Sequence, residues 1–158
     1  MTLYFAYGSN MAVSQMHQRC PGCRRLGKAS LPGYKWIITT RRYANVVADE
    51  QATVEGILYE LSRDDEEALD RFEGVATGCY DKAIKTISFG ERTVEAMVYI
   101  DPIADEGVPQ DEYVERMARA LTEANLSPHY VAASMIRFFQ GHAGCNDEAS
   151  GNQGGSAI

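Results

Sequence analysis

The stretch that most constrains the fold lies near the start of the chain, where an apolar and aromatic run ends in three turn residues. Residues 3–7 have the sequence Leu-Tyr-Phe-Ala-Tyr, which is typical of a buried strand. Gly8, Ser9 and Asn10 follow directly, and these residue types favour turns and helix starts. Larger side chains at helical spacing predict a helix over residues 11–19, with Asn10 as its N-terminal cap. The pattern therefore predicts a strand, a tight glycine turn and a helix.

A corner of this kind has two interpretations. Backbone N–H groups that point out of the turn, together with the partial positive charge of a helix N-terminus, suit a carboxylate or an oxyanion. The alternative is a purely structural corner in which Asn10 does no more than cap the helix. The local pattern leaves both interpretations open.

The size and charge of the chain restrict its class. With 158 residues, of which 45% are hydrophobic and 23% charged, it suits one globular domain with its own core. The formal net charge of −7 argues against a nucleic-acid partner and against an anionic membrane surface. Residues 1–7 lack a basic n-region, and no apolar run is long enough to span a bilayer. We therefore expect a cytoplasmic protein.

The remaining chain alternates unevenly between strand and helix patterns. Strands are predicted at residues 34–40, 44–48, 54–61, 80–89 and 93–100, and helices at residues 62–73, 111–124 and 128–139. Because strands outnumber helices and the last two strands form a hairpin, the fold class predicted is α+β, with a mixed or antiparallel sheet that closes into a small β-barrel with surrounding helices. Residues 1–140 are predicted as one domain, and the Gly-, Ser- and Asn-rich residues 141–158 as a flexible C-terminal tail.

Two of the four cysteines form a C-x-x-C motif. Cys20 and Cys23 flank a Pro-Gly pair directly after the first predicted helix. A thioredoxin-type motif would open a helix instead, and a zinc site would need two further ligands, for which His17, His142 and Cys145 are the candidates. The interpretation we favour is a turn flanked by two reduced thiols, with no metal site.

Glu73 breaks two local rules of helix design. It lies four positions after Leu69, so both side chains share one helix face, and that face is apolar. It also precedes Gly74 in the last helical turn, where a negative charge opposes the macrodipole. Burial and this position both predict a raised pKa, which is typical of a functional carboxylate. The alternative is a partly exposed glutamate paired with Arg71 or Lys82.

Several motifs together resemble the gamma-glutamylcyclotransferase family, which has the AIG2-like fold. Residues 4–10, Tyr-Phe-Ala-Tyr-Gly-Ser-Asn, resemble its substrate-binding loop. Residues 72–75, Phe-Glu-Gly-Val, followed by Tyr80, resemble the segment that carries its catalytic carboxylate. Tyr99 matches a tyrosine of its site, and residues 127–130, Ser-Pro-His-Tyr, resemble the start of its late helix. The resemblance covers the chain from about residue 3 to about residue 139.

The resemblance implies a fold, an activity and a set of site residues. The fold is a small β-barrel with helices packed around it. The activity is the release of 5-oxoproline and a free amine or amino acid from a γ-glutamyl amide, with Glu73 as the general base and without a metal or cofactor. The leaving amine is not identified, and for the oligomeric state a homodimer is compatible with the resemblance. The substrate-binding residues implied are Tyr4, Phe5, Ala6, Tyr7, Gly8, Ser9, Asn10, Tyr80, Tyr99 and Tyr130.

Two other functions remain open at this stage. The same fold without the reaction would be a small-ligand-binding protein, which would have no need for a buried base. A redox or metal-binding protein built on Cys20 and Cys23 is the second alternative, and the metal content of the purified protein would test it. Release of 5-oxoproline from γ-glutamyl compounds would distinguish the enzyme from both.

Overall fold

Five strands form a closed barrel in the computed structural model, which describes residues 1–140. The strands are β1 Thr2–Ala6, β2 Arg24–Ile38, β3 Ala44–Leu61, β4 Asp81–Phe89 and β5 Arg92–Ile100. Their order around the barrel is β1-β3-β2-β4-β5. All neighbouring pairs are antiparallel except β1 and β5, which close the barrel in parallel. The predicted α+β class with a small mixed barrel is therefore confirmed.

Five helices accompany the barrel within the described residues. They are α1 Val13–Arg19, α2 Arg63–Phe72, α3 Asp111–Ala124, α4 Pro128–Ser134 and α5 Ile136–Phe139. Ser62 caps α2, because its Oγ accepts a hydrogen bond from the Asp65 N–H at 3.1 Å. Gly74 follows α2 with a φ of 64°, the left-handed conformation that ends many helices. The prediction of a helix over residues 62–73 agrees with α2, whereas the single helix predicted over residues 128–139 is two helices separated at Met135.

The long hairpin of β2 and β3 differs from the sequence prediction. The strand expected at residues 34–40 begins at Arg24 and ends at Ile38, and the strands expected at 44–48 and 54–61 are one continuous strand. The polar residues between them are mostly exposed and lie at a register shift, and they stay in the strand because β2 pairs with β3 on both sides of them. Two register shifts in this pairing accommodate the curvature.

Gly56 is a close-approach point rather than a bulge. It pairs in register with Ala29, and the register shifts lie elsewhere in the hairpin. A Cβ atom at this position would lie 2.3 Å from the carbonyl oxygen of Ala6 and 2.7 Å from the Phe5 ring. The absence of a side chain thus lets β1 lie directly against β3.

The first helix begins later than the sequence predicted. Ser9–Met11 form a 3₁₀ turn, and α1 starts at Val13 with Ala12 in the cap position. The prediction that Asn10 caps the helix is therefore wrong: its side chain is fully buried and bonds to other elements. The predicted tail, residues 141–158, lies outside the described residues.

Candidate active site

Glu73 is fully buried at the end of α2. It occupies the C-terminal cap, and its backbone N–H donates to the carbonyl of Leu69 at 2.9 Å. Its exposed fraction is 0%, as is that of Leu69 one turn earlier. The shared face predicted from their spacing therefore points into the protein, and it carries the carboxylate inward.

Asn10 connects the N-terminal loop to this carboxylate. Its Nδ2 donates to the hydroxyl of Tyr4 at 3.1 Å and faces Oε1 of Glu73 at 3.5 Å. Its Oδ1 accepts hydrogen bonds from Gln15 Nε2 at 2.8 Å and from Arg19 Nη1 at 3.2 Å. Because both ends of the amide are bonded, its orientation is fixed. The two motifs that predicted a site, the loop with Asn10 and the segment with Glu73, are separated by 63 residues in the sequence and meet at the Asn10 side chain.

Arg19 supplies a positive charge beside Glu73. Its Nη1 lies 3.6 Å from Oε1 of Glu73, and its side chain is 11% exposed. The guanidinium also lies over the ring of Phe72, 4.9 Å from the centroid. Burial lowers the pKa of Arg19, while the charge of Glu73 opposes this effect. Sequence reasoning missed Arg19, and the available signal was its i, i+4 spacing from Gln15 on α1.

Five buried tyrosines lie within electrostatic reach of Glu73. Burial raises the pKa of each hydroxyl above its usual value, and the negative charge of Glu73 raises it further. All five hydroxyls therefore stay protonated near neutral pH and lie within electrostatic reach of the carboxylate. They are Tyr4, Tyr7, Tyr80, Tyr99 and Tyr113.

Three of these hydroxyls have partners on the barrel or on α2. Tyr7 donates to the carbonyl of Tyr99 at 2.5 Å, and Tyr80 donates to the carbonyl of Ala44 at 3.2 Å. Tyr99 donates to Oδ1 of Asp70 at 2.6 Å, so Asp70, rather than Glu73, fixes this hydroxyl.

The turn after β1 is tied to α3. The N–H of Ser9 donates to the hydroxyl of Tyr113 at 3.3 Å, and Ser9 Oγ accepts from Gln15 Nε2 at 2.8 Å and from Arg116 Nη1 at 3.5 Å. One predicted outward N–H group thus points to a protein hydroxyl, and the anion-binding role of Gly8, Ser9 and Asn10 stays a prediction. Sequence reasoning placed Tyr113 only on the apolar stripe of α3.

Not all the implied site residues lie at this cluster. Phe5 and Ala6 pack against Gly56 in the barrel wall. Tyr130 lies near the start of α4, where burial raises its pKa and the charge of Glu55 adds to the rise. A direct role in substrate binding therefore remains a prediction for these three residues, and the geometry favours Tyr4 and Asn10 over them.

The C-x-x-C motif lies in an environment that suppresses thiolate chemistry. Burial raises the pKa of Cys20 to about 12 and that of Cys23 to about 11, and the charge of Asp65 adds to both. The Cys20 thiol donates to the carbonyl of Asp65 at 3.4 Å. Since the thiolate is the reactive form, both groups are poor nucleophiles near neutral pH. Among residues 1–140, no group of three or more His, Cys, Asp or Glu side chains is placed to hold a metal ion.

Comparison with solved structures identifies the same fold in other proteins. A structure described as gamma-glutamyl cyclotransferase is 22% identical, with a TM-score of 0.75 over 84% of this chain and 85% of that chain. YkqA from Bacillus subtilis is 24% identical, with a TM-score of 0.76 over 88% of this chain and 54% of that one. An AIG2-like protein from Mus musculus is 18% identical, with a TM-score of 0.52 over 72% and 82% of the two chains. No curated protein sequence matches this chain.

No helix in the described part of the chain is long and apolar enough to cross a membrane.

The family assignment follows from the sequence itself. The family model described as gamma-glutamyl cyclotransferase, AIG2-like matches residues 4–116, which is well over half of the chain and includes the loop, Glu73 and Arg116. The chain therefore belongs to the gamma-glutamyl cyclotransferase, AIG2-like family.

Proposed function

We propose that this protein is a cytoplasmic enzyme that converts a γ-glutamyl amide to 5-oxoproline and a free amine or amino acid, with Glu73 as the general base. The observation that carries the proposal is the position of Glu73: a fully buried carboxylate that faces a cationic side chain and an oriented amide, with five tyrosine hydroxyls within its electrostatic reach. Such a carboxylate costs free energy to bury, and a structural role alone does not require it at the meeting point of the loop and α2.

The chemistry that Glu73 would perform is a proton transfer. The substrate's α-ammonium gives a proton to the carboxylate, and the resulting amine attacks the γ-carbonyl carbon. The bond from this carbon to the leaving nitrogen then breaks as the five-membered lactam closes. The protons lost by the ammonium end on the leaving amine, so water takes no part. The Arg19 charge favours the ionised carboxylate, the form that accepts the proton.

The remaining groups would orient the substrate. An intramolecular attack is fast only when the amine and the carbonyl are held close together, and good orientation can supply several kcal/mol, up to ~7–11 kcal/mol in favourable cases. The hydrogen-bonding side chains at the cluster provide donors for the α-carboxylate or for the oxyanion of the tetrahedral intermediate. Asn10 contacts Glu73 directly, and Tyr4 is linked to Glu73 through Asn10.

The test is release of 5-oxoproline from a panel of γ-glutamyl dipeptides and γ-glutamyl amines. We expect 5-oxoproline and the free amine in equal amounts, with no dependence on added metal and no loss with a chelator. Release from none of the compounds, while one of them binds, would identify a small-ligand-binding protein on the same fold instead.

A further inference from the structure

Arg116 lies at the edge of the site, and one N–H donor of its guanidinium has no hydrogen-bond partner within residues 1–140. It lies on α3 with 19% of its side chain exposed. Its Nη1 is 3.5 Å from Ser9 Oγ, its Nη2 is 3.2 Å from Oε1 of the exposed Glu112, and the guanidinium lies over the Tyr113 ring at 5.1 Å. Its Nε is buried and, within residues 1–140, has no hydrogen-bond partner.

The unpartnered Nε of Arg116 reduces the stability of the free protein. The rest of the side chain is held by Ser9, Glu112 and the Tyr113 ring. Leaving a buried N–H unsatisfied costs free energy comparable to a lost hydrogen bond, more when the group is charged. The Nε and Nη2 donors of an arginine form one edge of a planar fork, which matches the two oxygens of a carboxylate. Nη2 already pairs with Glu112, but this is an exposed i, i+4 ion pair of the kind that contributes little free energy, so a carboxylate can replace it.

Arg116 and Arg19 lie at opposite ends of the polar cluster. Arg19 pairs with Glu73, whereas Arg116 reaches the cluster through Ser9. Gln15 lies between them, because its amide donates both to Ser9 and to Asn10. The two guanidinium charges are still near enough for Arg116 to lower the pKa of Arg19.

This arrangement matches the two carboxylates of a γ-glutamyl amino acid. The α-carboxylate is attached to the carbon that bears the reacting amine, so it lies close to Glu73 and to Arg19. The second carboxylate belongs to the leaving amino acid, and it lies beyond the scissile amide, farther from the base. A cation at the far end of the cluster is therefore suited to the second carboxylate and not to the first.

We propose that Arg116 is a specificity-determining residue that binds the carboxylate of the leaving amino acid, so that the protein prefers γ-glutamyl amino acids to γ-glutamyl amines. The inference rests on the proposed function. A neutral alkyl amine would leave Nε buried without a partner, whereas a carboxylate would satisfy it.

Two substrates that differ only in this carboxylate test the inference. γ-Glutamyl-alanine releases alanine, and γ-glutamyl-ethylamine releases the same skeleton without its carboxylate. We expect the wild type to have a kcat/KM ratio of at least ~10 in favour of the alanine compound, and Arg116→Gln to lower this ratio ~10- to 100-fold, as the loss of a charge-assisted hydrogen bond predicts. Arg119→Gln, which removes an exposed charge from the same helix, should leave the ratio unchanged.

Each outcome decides between the alternatives. An equal loss on both substrates in Arg116→Gln would overturn the inference, since Arg116 would then act on the γ-glutamyl half or on folding. A wild type without preference would overturn it as well, and that measurement needs no variant. If the wild type turns over neither compound, calorimetric titration of both with wild type and Arg116→Gln replaces the kinetics: an Arg116-dependent preference in binding would support the inference while the proposed function fails. Turnover without this preference would support the proposed function while the inference fails.

Discussion

Replacing Glu73 with glutamine is the most direct test of the mechanism. The substitution preserves the size of the side chain and its ability to bond to Asn10, but an amide cannot accept the ammonium proton. General base catalysis contributes ~10²–10⁴-fold to the rate, so we expect kcat to fall by at least this range. KM should change little, because the loop and the tyrosines remain in place.

The effect on stability depends on Arg19. A buried carboxylate alone would be costly, and its replacement by an amide would then stabilise the fold. Here the ion pair at 3.6 Å reverses the expectation, because the Arg19 side chain is only 11% exposed and would lose its counter-charge. Arg19 keeps its bond to Asn10 and its contact with Phe72, so we expect a loss of about 1–3 kcal/mol rather than unfolding. This corresponds to a fall in Tm of roughly 3–10 °C.

The assay combines 5-oxoproline release with thermal unfolding on the same preparations. Glu67→Gln is the matched control: it lies on α2, its side chain is 56% exposed, and it pairs only at the surface with Arg63 within the described residues. The control should retain the wild-type kcat and lose little stability. Near-normal turnover by a folded Glu73→Gln protein would refute the role of Glu73 as the base. If the variant does not fold, Glu73 is a structural member of an ion pair, and the mechanism loses its main support.

Three further predictions concern the loop, the barrel wall and the thiols. Tyr4→Phe removes the hydroxyl that accepts from the loop amide, and we expect kcat/KM to fall about 2- to 10-fold with the fold intact in circular dichroism; an unchanged value would exclude a positioning role. Gly56→Ala places a Cβ against the Ala6 carbonyl, so Tm should fall with an unfolding free-energy loss of about 1–3 kcal/mol or more, and an unchanged Tm would contradict the close approach. Replacing both Cys20 and Cys23 with serine should leave turnover within about 3-fold. Because burial raises their pKa values to about 12 and 11, the wild type should lose stability as the pH rises above the unfolded thiol value of about 8.5. In denaturant titrations at pH 8 and pH 10, the free energy of unfolding should fall less in the double variant than in the wild type. An equal fall in both proteins would argue against protonated buried thiols.

Local sequence signals predicted most of the fold. The caps at Ser62 and Ser127 and the glycine at residue 74 act over a few residues, so their effects can be inferred from short motifs. The long strand β3 was missed because its polar middle has no strand-like pattern of its own. Pairing with β2 on both sides of the register shift at residues 49–52 keeps the strand continuous, and this pairing is a tertiary effect that local propensity does not contain.

The candidate site was predictable only where its residues are positioned by local sequence signals. The inward direction of Glu73 follows from its helical spacing to Leu69, which is local information. The roles of Arg19, Tyr113 and Arg116 depend on which elements meet in space, and nothing in the sequence around Tyr113 and Arg116 marks them. Asn10 shows the difference most clearly, since the sequence favoured a local cap and the structure bonds it to four side chains from other positions.

The meeting of the loop with Glu73 follows from the lengths of two elements. β1 and β3 are antiparallel, and Thr2 pairs with Leu61, so α2 starts beside the beginning of β1. The hydrogen bond from Thr2 Oγ1 to Glu66 at 2.7 Å holds this end. From there α2 runs for 10 residues, or about 15 Å, while the five residues of β1 span about 16 Å. The end of α2 therefore arrives level with the turn that follows β1, and Gly74 stops the helix there, with Glu73 facing Asn10. Because the side-chain direction turns by about 100° with each helical residue, the length of α2 determines both the distance and the direction of the carboxylate.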